Sequence, residues 1–97
     1  MAAPLTDATV ERIARSFPPQ DHDLVSILLI EECGDNLTTH PDFVELIERI
    51  RFAVLKLSCG DLNALGRAID LAKLDWRDAL VAADFANDLN AHKSWWP

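Results

Sequence analysis

Apolar residues recur at three- and four-residue intervals along almost the whole chain. Only a few breakers interrupt them: Pro18-Pro19, Gly34, Gly60 and the short polar residues near Asp61 and Asp75. That spacing belongs to helices with one buried face, because a half-buried strand alternates every second residue. Strand signals are nearly missing, with no Tyr, few Thr and no sustained alternation. The pattern predicts an all-α fold, a compact bundle of about five helices. At 97 residues the chain fits one domain over 1–97, with 91–97 as a Trp-containing C-terminal tail.

The first helix is expected from Asp7 to Ser16, capped by Thr6 and stapled by Leu5 onto Val10. Val10, Ile13, Ala14 and Phe17 share its face, and Pro18-Pro19 stops it. The second runs from about Gln20 to Cys33 and is apolar all round, which predicts burial. The third runs from about His40 to Ser58, with Thr39, Pro41 and Asp42 forming its start. Phe43, Leu46, Ile47, Ile50, Val54 and Leu57 make its main stripe, and Glu45 and Arg49 form an i,i+4 pair. The fourth runs from the cap Asp61 to about Lys73, with Leu62, Leu65, Ile69 and Ala72 inward. The fifth runs from Trp76 to about Asn90, capped by Asp75.

Sixteen Asp and Glu against nine Lys and Arg give a net charge of −7. Such a surface repels phosphate backbones, so no direct nucleic-acid binding is expected. Arg77 alone offsets Asp75, Asp78, Asp84 and Asp88 on the last helix, which argues against a DNA-reading helix-turn-helix. The longest apolar run, Leu24 to Ile30, is too short to span a bilayer, and Met1 to Phe17 lacks a secretory leader pattern. With two cysteines and no disulfide framework, the expected location is the cytoplasm, with no membrane association.

Cys33-Gly34-Asp35 and Cys59-Gly60-Asp61 echo each other. Two similar helix stops explain the echo, because antiparallel packing would leave the cysteines about 27 Å apart. His40-Pro41-Asp42 matches the tripeptide of J-domain co-chaperones, but the basic helix that precedes it there is missing here. Asp84, Asp88 and His92 lie four apart and would share a helix face. A solvated strip accounts for them, and no metal-ligand spacing accompanies them. The sequence calls for no cofactor and no metal. It shows no catalytic motif, so the chain is expected not to be an enzyme.

Excess apolar surface is the more informative feature. The third helix has a second stripe of Val44, Phe52 and Leu55, and the fifth carries Trp76 and Leu80 on one side with Val81, Phe85 and Leu89 on another. Contiguous patches of that size mark interfaces. With Trp95 and Trp96 in the tail, they make Val44, Phe52, Leu55, Trp76, Leu80, Trp95 and Trp96 the candidate interface. The expected role is a non-enzymatic protein–protein interaction domain that associates with itself as a homodimer. The alternatives are an acidic inhibitor or immunity-type protein for a basic enzyme or DNA-binding protein, and a small metal- or ligand-binding bundle.

The stretch Asp75-Trp76-Arg77-Asp78-Ala79-Leu80-Val81-Ala82-Ala83, continuing through Phe85, Asp88, Ala91, His92 and Trp95 to Pro97, resembles the C-terminal segment of small bacterial proteins. The likeness covers about the last quarter of the chain. It implies a bacterial, cytoplasmic origin and a link to mobile elements, and it brings no activity, cofactor or site residue.

Overall fold

The computed structural model describes residues 4–34, 36–37 and 43–97. Five helices follow in order: α1 (Asp7–Ser16), α2 (His22–Glu32), α3 (Phe43–Ser58), α4 (Leu62–Leu74) and α5 (Trp76–Ala82). Short 3-10 turns lie at Pro19–Asp21 and Ala91–Ser94. No strand occurs among the described residues, so the all-α bundle that the periodicity predicts is what forms.

Three helix starts are set by the expected oxygens. Thr6 Oγ1 accepts from the Thr9 N–H at 3.2 Å, Asp61 Oδ1 from Asn63 at 3.0 Å, and Asp75 Oδ1 from Arg77 at 3.0 Å. Each removes one of the orphan donors of a first turn. The proposed start of α3 at Thr39, His40, Pro41 and Asp42 lies outside the described residues.

α3 is the central element, packed against α1, α4, α5 and the C-terminal 3-10 turn. From Ile47 to Leu55 it is buried nearly all round. Its second stripe is therefore no free surface: Phe52 and Leu55 are fully inside, and Leu80 of α5 joins the same core. Each such side chain contributes about 1.5–3 kcal/mol by leaving water. The candidate interface loses these three residues because α3 has neighbours on both sides.

α2 departs in the other direction. Only Val25, Leu29 and the following Cys33 are deeply buried, while Leu24 and Ile27 are half exposed, one turn apart on its outer face. An even apolar distribution leaves the choice of inner face to tertiary contacts. On α1 the buried residues are Thr9, Arg12 and Ile13, whereas Val10 and Ala14 face outward. The buried face is rotated because Arg12 is drawn inward.

The largest difference lies in the last helix. α5 stops at Ala82, eight residues before the expected end. Asp84 takes φ +64°, the Phe85 N–H bonds back to Leu80 O at 2.8 Å, and the Asp84 N–H to Val81 O at 3.0 Å. This is a Schellman stop with Asp in the place usually held by Gly, and its hydrophobic contact is made by Phe85 and Leu80, both in the core. Asp84, Asp88 and His92 consequently share no helix face. The first two are exposed and His92 is buried.

α3 ends on two left-handed residues, Cys59 at φ +49° and Gly60 at φ +78°. A Cβ on Gly60 would lie 2.5 Å from the Ser16 carbonyl oxygen, so α1 and the α3–α4 turn touch there. Gly66, within α4, has open space around the same position. Gly60→Ala is expected to lower the unfolding free energy by about 2 kcal/mol or more through the left-handed backbone and the clash. Gly66→Ala is expected to raise it by about 0.5–1 kcal/mol. Urea denaturation of the two variants checks both signs.

Candidate functional site

Four cations hold the bundle by donating to backbone carbonyls. Arg12, only 1% exposed, gives Nη1 to Ala8 O at 3.0 Å, Nη2 to Lys93 O at 3.3 Å and Nε to Trp95 O at 3.1 Å. Its guanidinium carbon sits 4.1 Å from the Phe52 ring centre and 3.6 Å from that of Trp96. Arg51 gives Nε to Leu29 O and Cys33 O, the open end of α2, and Nη1 to Pro4 O. Lys56 Nζ donates to Ala83 O at 2.8 Å, and Arg49 Nη2 to Phe85 O and to Asp88 O. Cations near helix C-termini meet unpaired carbonyls and the negative end of the dipole. Burial pulls the Arg12 guanidinium below its ordinary pKa, yet arginine stays charged at any physiological pH.

The charge budget of the surface follows. Arg12, Arg49 and Arg51 are buried, whereas every described Asp and Glu is exposed or half-buried. Lys73 is paired with Glu32 at 2.7 Å and Arg77 with Asp75 at 3.7 Å. Among the described residues, the surface is therefore richer in carboxylates than in cations.

A groove of about 810 Å³ opens where the first half of α3 meets Trp76 and the segment after α5. Val44, Leu46, Trp76 and Leu89 supply its apolar lining, Glu45 and Glu48 its carboxylates, and Arg49, His92 and Lys93 its nitrogens. Val44 and Leu89 are 60% and 74% exposed. Glu48 accepts the Thr6 hydroxyl at 2.5 Å, which ties the groove to the start of α1. Arg49 Nε and His92 Nδ1 are buried without a hydrogen-bond partner among the described residues.

Of the expected interface residues, the structure brings Val44 and Trp76 together in this groove. Trp95 instead packs back onto Phe52 and Phe85, with ring centres 6.4 Å and 6.3 Å apart, and lines a smaller hollow of about 460 Å³ beside Cys59. Trp96 lies over Arg12 and Arg15. The groove adds Leu46, Glu48, Leu89 and His92, which the sequence reading missed as a site. Their juxtaposition depends on the chain reversal at Asp84.

Reactive groups offer little chemistry here. Cys33 is buried, and that burial pushes its thiol up to about 12, so it stays protonated at neutral pH. Cys59 is free and exposed, apart from the groove. Among the described residues no three His, Cys, Asp or Glu gather as a metal site, and no helix is long and apolar enough to cross a membrane. His40-Pro41-Asp42 falls outside the described residues. Comparison with known protein families, with curated proteins and with solved structures finds no match to this chain.

Replacing Arg12 by Met would keep the aliphatic volume and leave the Lys93 and Trp95 carbonyls without their donor. The expected loss is about 3 kcal/mol of stability, from buried acceptors left unpaired. Arg12→Lys should recover little of it, since one ammonium cannot reproduce the fork or the stacking. Urea denaturation followed by tryptophan emission checks both.

Proposed function

We propose that this chain is a non-enzymatic protein–protein interaction domain that receives an apolar, lysine- or arginine-bearing segment of a partner protein in the groove beside α3. The observation that carries the reading is the pairing of exposed Val44 and Leu89 with half-buried Trp76 around a concavity in an otherwise carboxylate-rich surface. Apolar anchors of this kind supply affinity, and Trp is the commonest hot-spot residue. The surrounding acidic surface supplies steering toward a basic partner, whereas within the groove Glu45 and Glu48 stand beside Arg49 and Lys93. The one histidine of the lining packs against the rings of Phe52 and Phe85.

Self-association is the second reading. It is favoured by Leu24 and Ile27 on the outer face of α2, a patch separate from the groove. A homodimer through α2 would keep the grooves free. A homodimer through the groove would set Glu45 and Glu48 of one copy near those of the other.

Capture experiments with tagged protein separate the readings. Val44→Asp and Leu89→Asp should each weaken partner capture roughly tenfold, an anchor loss of about 1.4 kcal/mol. Leu74→Asp, at an exposed apolar position outside the groove, should leave capture unchanged. The bound partner should elute as salt rises. Equal capture by the groove variants would overturn the groove. Recovery of the untagged chain alone, abolished by Ile27→Glu, would favour the homodimer.

A further inference from the structure

His92 sits 3% exposed in the 3-10 turn Ala91–Ser94, against the rings of Phe52 at 5.3 Å and Phe85 at 6.2 Å. Its Nδ1 has no partner among the described residues. The segment after α5 meets it with Phe85, and the charges around it come from α1, α3 and its own turn. α1 presents Arg12, α3 presents Arg49 and Glu48, and its own turn presents Lys93. Glu48 already accepts the Thr6 hydroxyl. A neutral imidazole fits this box as a flat, weakly polar ring. An imidazolium would bring a second N–H with no acceptor to meet it and would add its charge to three nearby cations.

The same turn carries the carbonyls that Arg12 holds, and Trp95 follows it onto Phe52 and Phe85. His92 also lines the groove. We infer that His92 is a proton-operated latch: protonation drives the segment 91–96 off α1 and α3 and opens the groove onto Phe52 and Phe85. The latch stands on the packing of the tail alone. Its consequence for a partner rests on the groove reading above.

Burial is the main cause that sets the folded imidazole below its ordinary value of 6.5, with Arg49, Lys93 and Arg12 adding to it and Glu48 opposing. A released tail therefore binds more protons than a docked one. Docking is fully supported above about pH 6.5 and weakens as pH falls from there through the folded value. Below that value nothing further is lost from this group.

The test uses the full chain carrying Trp76→Phe, so that emission comes from Trp95 and Trp96. Between about pH 7.5 and pH 5, a range in which histidine titrates, acrylamide quenching should rise and emission should shift to the red. His92→Phe, which keeps a flat ring without a titrating nitrogen, should abolish that step while far-UV circular dichroism stays helical. An NMR titration of the His92 imidazole in the Trp76→Phe protein provides the second measurement, and it decides the matter if the Phe variant does not fold. Its midpoint should lie below 6.5 and coincide with the quenching step. A step that persists in His92→Phe overturns the latch. So does an imidazole titrating at its ordinary value while quenching stays flat. Partner capture at neutral pH is read independently, so the latch and the groove can fail separately.

Discussion

The bundle depends on cations that donate to backbone carbonyls. Every helix end leaves unpaired C=O groups, and in a small domain several of those ends must lie close to the core. Here α2 ends against Arg51, α5 against Lys56, the reversal after α5 against Arg49, and the C-terminal turn against Arg12. A guanidinium suits the task because its donors radiate in a plane and reach several carbonyls at once. Arg12 spans Ala8, Lys93 and Trp95, and so joins α1 to the end of the chain across more than eighty residues of sequence. The cost of desolvating it is offset by hydrogen bonds and by aromatic faces on both sides, at Phe52 and Trp96.

That choice shapes the outside of the molecule as much as the inside. A buried cation paired with a buried carboxylate would remove both signs from the surface. A buried cation paired with a carbonyl removes only one. The described carboxylates stay exposed or half-buried, where they cap helices or face solvent, while Arg12 and Arg49 are withdrawn from the surface. The groove beside α3 adds what charge alone does not provide, namely apolar side chains in a concave setting. Val44, Trp76 and Leu89 supply these, and Glu45 and Glu48 stand beside Arg49 and Lys93 in the same lining.

Helix starts were legible because a capping oxygen acts within three residues of its target. Thr6, Asp61 and Asp75 all cap as their local sequence indicates. Gly60 was legible as a stop for the same local reason. Asp84 was not, because a left-handed Asp carries no signal that separates it from a solvated helix residue in Ala82-Ala83-Asp84. The tertiary partners that stabilise the turn, Lys56 on Ala83 and Arg49 on Phe85, come from another helix. Arg12 was illegible in a similar way: a basic residue within the first helix reads as solvent-facing until its three carbonyl targets are known. Once α5 is cut short and α1 rotated, the apparent surplus of apolar faces shrinks. Phe52, Leu55 and Leu80 become core, and Val44 and Trp76 remain at the site with Leu89 carried to them by the reversal.

The C-terminal segment consequently has two duties that cannot be altered separately. Through Trp95 and His92 it covers Phe52 and Phe85, which would otherwise open the core to water. Through Leu89, His92 and Lys93 it forms one wall of the groove. Both duties are held by Arg12, whose guanidinium touches Phe52, Trp96 and the carbonyls of the segment. Residues that share partners in this way respond together, so the effects of changing Arg12, Phe52, His92 and Trp95 should be coupled rather than additive. The wall of the groove is then only as rigid as the docking of the segment that forms it. A change in that docking, from either end of the network, reaches the site without touching Val44 or Trp76.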